Sequence, residues 1–234
     1  MTYIALAMKN IGKSLTLTSL ILVAALPAAH ADTAAEAYRA MGIKPVDVLT
    51  GTVLTAKVLP GADKQVVAVT TYFTGSKEKE DAVNVRLDVF NRSGDSLARV
   101  YGRDFGEEAG GAVGAGELQV IDLDRDGVNE IIASFESFLD PLIEERVAEV
   151  ILNHDGAFKT AWSGAMSYDA TRAARDVPRE RRDRYSREFD FANTLRTRGV
   201  TLFLSKEMIA VAGERLDEPK VVQETFPLRA AETP

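Results

Sequence analysis

The sequence predicts a mainly-β protein of antiparallel, blade-like sheets. Short runs rich in valine, isoleucine and aromatic residues recur along the chain, and such runs favour a pleated surface. Several alternate apolar and polar residues, as in Val83, Val85, Leu87 and Val89, which suits strands with one buried face. Clusters of Gly, Asn, Asp and Pro punctuate them, as turns require.

The N-terminus stands outside this pattern. From Met8, a start carrying Lys9 and Lys13 leads into an apolar stretch from Leu15 to Leu26 and then Ala29-His30-Ala31. A basic start, a short apolar core and a small-x-small end describe a secretory signal peptide over 1–31, cleaved before Asp32. The apolar core is shorter than the roughly 20 residues of a membrane span.

A short N-terminal extension, 32–45, comes next. Thr33 and Glu36 have the spacing of a capping box, in which each side chain answers the other's backbone N–H. They predict a helix over 34–41, ended by Gly42 with Pro45 beyond.

A single β-rich domain then fills 46–228. Strands are expected in "GTVLTAKVL", "QVVAVTTYF", "VNVRLDVF", "SLARVY", "LQVIDL", "NEIIASF", "RVAEVIL" and "FKTAWS". The turns "NRSGD" and "NHDG" join two of the pairs, since glycine accepts positive φ and Asn or Asp tolerates it. Two repeat-like units emerge, about 52–104 and 116–168. Residues 89–102 lie over 151–164, and 54–69 over 118–133, with Pro60 and Lys64 at positions that carry ligands in the second copy.

The arginine-rich segment 169–188 interrupts the β pattern and reads as an exposed loop or broken helix around Pro178. The tail, 189–228, returns to strands in "VTLFL", "MIAVAG" and "VVQETFPL", and 229–234 reads as a frayed end.

Composition restricts function. Net charge is −7, and removing a lysine-bearing, acid-free leader makes the mature chain more acidic still. Neutralising phosphates needs a basic surface, so nucleic acid is not expected as a partner. There is no cysteine, so an exported chain must rely on its core rather than on disulfides. No later stretch reaches transmembrane length.

The chemistry concentrates in "VIDLDRDGVNEII", 120–132. Asp122, Asp124 and Asp126 alternate, Gly127 permits a sharp turn, Val128 can offer its carbonyl, and Glu130 follows. Calcium takes about six to eight oxygens, and such a loop supplies them from alternate residues. No histidine or cysteine stands nearby to favour zinc or a redox metal. An EF-hand would place a glutamate at the twelfth position and continue into a helix. Here Ala133 stands there, and "EIIASF" suits a strand. The loop reads as the bend of a β-hairpin.

"DLDRDGVNEII" is similar to the calcium loops of FG-GAP and VCBS repeats, the blade units of integrin α-subunit propellers and of many bacterial secreted proteins. The resemblance implies Asp122, Asp124, Asp126, the Val128 carbonyl and Glu130 as ligands of a structural Ca2+. It covers about a dozen residues closely. The chain shows no clear FG…GAP signature and keeps its acids in one loop only. Two units are also fewer than the about four or more blades that close a propeller.

Other residues carry less. His154 lies in a turn, too close in sequence to Asp155 for that acid to orient it in a triad. The glycines of 107–117 lack the Gly-Lys-Ser/Thr of a phosphate loop and read as a flexible loop. Trp162, Tyr185, Phe189 and Phe191 read as core. Arg172, Arg175, Arg179, Arg181, Arg182, Arg184 and Arg187 have guanidinium forks suited to an anionic glycan or protein partner, although interleaved acids also let the segment neutralise itself. The expected function is that of an exported, soluble, calcium-binding interaction module of the cell envelope or extracellular space, periplasmic or secreted. The alternatives are an envelope polysaccharide hydrolase whose carboxylates the sequence does not single out, or an accessory subunit docking through the arginine segment.

Overall fold

A computed structural model describes residues 28–61, 63–74, 83–108, 113–137, 143–171 and 178–228. The expected signal segment lies outside these residues except for 28–31, and so does the expected frayed end.

Helix α1 (Ala28–Met41) begins upstream of the expected start. Thr33 is therefore inside the helix rather than at its start, and Glu36 binds Arg92 at 2.9 Å. The end falls where glycine predicts. Gly42 has φ 74°, and Gly42 and Ile43 donate back to the Arg39 and Tyr38 carbonyls, which satisfies groups the last turn would leave unpaired.

Four strands follow as an antiparallel meander, β1 (Val48–Ala56), β2 (Gln65–Phe73), β3 (Val83–Ser93) and β4 (Ser96–Asp104). A one-turn helix, α2 (Phe105–Glu108), leads to a second sheet. Its seven strands also run in chain order, beginning with β5 (Val113–Ile121), β6 (Glu130–Ser137), β7 (Glu144–His154) and β8 (Ala157–Asp169). It continues through β9 (Arg184–Phe189), short helix α3 (Phe191–Arg196), β10 (Thr201–Val211) and β11 (Glu214–Pro227). The chain is mainly β, with two antiparallel sheets and little helix.

The expected hairpin turns are present. Asp155 and Gly156 both have positive φ, 54° and 82°, which matches the twist of the flanking strands. Three expectations change. The glycine-rich stretch enters β5 from Val113 onward. A Cβ on Gly116 would lie 2.6 Å from Val69 and 2.7 Å from Val85, so glycine lets β5 cross close over the first sheet. The arginine-rich segment is neither a loop nor a broken helix throughout, because Arg184–Phe189 pairs between β8 and β10. The two expected tail strands "VTLFL" and "MIAVAG" are one strand, β10.

Three apolar layers hold these elements together. Ala37, Met41 and Ile43 cover Val66, Ala68 and Phe90 on the outer face of the first sheet. Its inner face brings Val67, Val69, Val85 and Leu87 against Leu118, Ile131, Ala133 and Ile151 of the second. The far face of β6–β8, with Ile132, Val150 and Trp162, packs on Leu202 and Leu204 of β10, with Leu123 and Leu228 beside them. Strand β2 is thus buried along both faces. In β3 the alternation is real, but Asp88 and Phe90 on its other face are buried as well.

Two buried carboxylates, Asp88 and Glu149, are matched by arginine. Asp88 pairs with Arg86 and Arg99 at 2.7 and 2.5 Å. Burial pushes its carboxyl up while the guanidiniums pull it down. Arg86 also donates to the Met41 carbonyl at 3.3 Å, tying the sheet to the end of α1. Arg103 of β4 reaches the second sheet, gripping both oxygens of buried Glu149 at 2.7 and 3.1 Å. Removing one partner of such a pair strands a charge. Arg103→Met should therefore lower unfolding free energy by about 3 kcal/mol. Adding Glu149→Gln, whose amide keeps Thr160 within reach, should recover most of that loss in urea titrations.

Candidate metal centre

The acidic loop joins β5 to β6, and the Ile121–Glu130 pair closes the ladder beneath it. A strand enters and a strand leaves, so this is a hairpin bend and not a helix–loop–helix. Two backbones adopt positive φ, Arg125 at 62° and Gly127 at 83°. Glycine allows this freely, whereas arginine does so at some cost.

The turn is knitted by its own carboxylates. Asp122 accepts from Asp126 N at 3.1 Å and Gly127 N at 3.0 Å. Asp124 also accepts from Asp126 N at 3.1 Å, and Asp126 accepts from Val128 N at 2.7 Å. Glu130 points inward under the loop, 3% exposed, and accepts from Leu123 N at 2.6 Å.

Asp122, Asp124 and Glu130 each bring a carboxylate oxygen within 4.8 Å of the others. Asp126 stands outside this cluster, exposed, with its carboxylate on the Val128 amide. Val128 follows it, half-buried. The donors are hard oxygens only, and a carboxylate retains lone pairs after accepting one or two backbone hydrogens. Such a set fits a hard cation such as calcium.

Burial pushes the Glu130 carboxyl up to about 7, the Leu123 amide pulls it down, and the charges of Asp124, Asp126 and Asp122 add to the rise. A cation among these oxygens would remove the repulsion.

Several residues that build the site gave little sign in the sequence. Leu123 is fully buried and anchors the loop in the core beside Leu202 and Leu204. Asn129 donates twice to the Lys57 carbonyl of the β1–β2 loop, from N at 2.6 Å and Nδ2 at 2.9 Å. Gly199, in the turn after α3, presses on the loop. At φ 63°, a Cβ there would lie 2.8 Å from Asp124 N and from the Leu123 carbonyl carbon. The one visible signal was the helix stop "TLRTRG", in which Gly199 N caps Thr194 O at 3.0 Å.

At least three of the seven arginine side chains are paired within the fold. Arg187 holds Glu224 at 2.6 Å and the Ala165 carbonyl at 2.6 Å, and lies over the Tyr185 ring. Arg184 faces Asp169 at 3.3 Å, and Arg179 binds Glu214 and the Ala212 carbonyl. The Arg181 and Arg182 carbonyls accept from Tyr168 and Gly213. Arg172 and Arg175 lie outside the described residues. His154 sits half-exposed in its turn, 3.4 Å from Asp155. Trp162, Phe189 and Phe191 belong to or pack on the core, and Tyr185 is partly buried, stacked on Tyr168.

No family model, curated protein or solved structure matches the chain.

Two outcomes follow from this geometry. Glu130 holds its proton more tightly folded than unfolded, from an ordinary 4.5 to about 7. The folded state therefore binds more protons across that window, and stability falls as pH rises through it. At about 1.4 kcal/mol per unit, the metal-free protein should lose roughly 3 kcal/mol between pH 4.5 and 8, read as a falling melting midpoint in chelator. Gly199→Ala should cost about 2 kcal/mol or more in urea titrations, because the new methyl meets backbone and the φ is wrong for alanine.

Proposed function

We propose that this is an exported, calcium-binding, β-rich interaction module of the cell envelope or extracellular space. The observation that carries the metal part is the convergence of Asp122, Asp124 and Glu130, oxygen donors only, under a turn whose backbone already holds them. In this reading the three carboxylates hold the ion, with Asp126 and the Val128 carbonyl supplying further oxygens. The ion supplies charge neutralisation and a rigid turn. The protein's own groups position it: Leu123 pins the loop to the core, Gly199 supports it from below, and Asn129 ties it to the neighbouring loop.

A structural ion is favoured over a catalytic one where Asp126 and the Val128 carbonyl complete the shell, because protein oxygens then leave little room for an activated water. The leader over 1–31 and the acidic balance support export and a non-nucleic-acid partner. Among the described residues no helix is long and apolar enough to cross a membrane. Arg179, Arg184 and Arg187 are engaged by Glu214, Asp169 and Glu224, so the reading does not rest on docking through the arginine segment.

Calcium should raise the melting midpoint of the chelator-treated protein. Binding to the folded state alone adds about 2.7 kcal/mol at a hundredfold excess over Kd, several degrees for a chain of this size. Asp124→Ala should abolish the shift. Magnesium should be much weaker, since it dehydrates reluctantly and demands octahedral geometry. A wild-type melt indifferent to calcium would sink the metal reading.

A further inference from the structure

The two loops at this end of the molecule can be compared position by position. Ala56 and Gln65 close the ladder under the β1–β2 loop, as Ile121 and Glu130 close it under the acidic loop. This pairing moves the register one residue from the alignment that set 54–69 over 118–133, so Gln65 now stands for Glu130 and Leu59 for Asp124. Val58 and Leu123 then occupy the same place, and both are fully buried. The strand-leading side chains also act alike. Gln65 is 4% exposed, and its Oε1 accepts from Val58 N at 3.0 Å and Leu59 N at 3.1 Å. Glu130 is 3% exposed, and its Oε2 accepts from Leu123 N at 2.6 Å.

The equivalence extends to the packing faces. Val66 and Ala68 look toward α1, while Ile131 and Ala133, their counterparts, look toward the first sheet. Val67 looks toward the second sheet, and Ile132 looks toward β10. In the third strands Phe90 and Ile151 follow the first rule, and Leu87 and Ala148 the second. Each four-stranded meander therefore presents the same face backward and the same face forward. Units related by a two-fold axis would present like faces to each other. These do not.

From this we infer that residues 48–104 and 113–169 are two copies of one β unit stacked head to tail, and that residue 65 or 130 fills one shared post as the bolt of the turn. Gln65 closes its turn with a neutral amide. Glu130 closes the other with a carboxylate crowded by Asp122 and Asp124. The two free faces of the stack are capped, by α1 at the front and by β10 with the C-terminal residues at the back, as terminal elements of a repeat array must be. Capping lets two units stand without closing a ring. The choice between amide and carboxylate sets whether a turn needs a cation, a point that rests on the calcium reading; the shared post does not.

The test uses the full chain in chelator at pH 8. Glu130→Gln should melt higher than wild type, keep slow hydrogen exchange at the Leu123 amide, and lose any response to calcium. Gln65→Ala should speed exchange at the Val58 and Leu59 amides at least tenfold, as Glu130→Ala should at Leu123. Faster exchange at Leu123 in Glu130→Gln, or unchanged exchange at Val58 in Gln65→Ala, would overturn the shared role. Should calcium leave wild type unmoved while Glu130→Gln still melts higher, the calcium reading fails and this inference stands. Should calcium act on wild type while Glu130→Gln melts lower in chelator, the reverse holds.

Discussion

One buried hydrogen bond organises the acidic loop: the Leu123 amide donating to Glu130. It joins the second residue of the acidic loop to the first residue of the strand that leaves it. Leu123 is drawn into the core beneath β10, and the aspartates before and after it are left half-buried with their carboxylates close together. A charged acceptor in that position costs energy unless a proton or cation shares it. The hydrophobic anchoring of Leu123 is thus coupled to the electrostatics of the carboxylates around it.

The strands were readable because their signals are local. Alternation and turn residues predicted β1 to β4, β6 and β7 to within about three residues, whereas β5 begins five residues before the expected run and β8 ends six residues after it; the paired glycines and aspartates placed the hairpins. What the sequence hid depends on tertiary contact. Residues 184–188 read as part of an exposed loop or broken helix, yet the alternate residues Tyr185, Arg187 and Phe189 let the segment join a sheet, with Arg187 neutralised by Glu224. The glycines before Gln119 look like slack, yet Gly116 is there because Val69 and Val85 leave no space for a side chain.

The candidate site divides along the same line. Its carboxylates were visible as a spacing pattern, and three of them do converge in space. The pattern gave no hint that Asp126 would turn its carboxylate to the Val128 amide. Nor did it show that Gly199, more than sixty residues away in sequence, would support the loop. Support of that kind comes from backbone proximity, which leaves no compositional trace beyond a single glycine.

Strand β11 closes the seven-stranded sheet as its last member, long and largely exposed. A row of unsatisfied backbone groups on such a border invites another chain to extend the sheet. Here the pairing with β10 breaks between Met208 and Ala210, and Pro219 in the facing segment has no N–H to offer. Asp217, Glu218 and Lys220 place charge along the same stretch. The border is thus interrupted midway, and the protein carries its own obstacle to growing into a fibre.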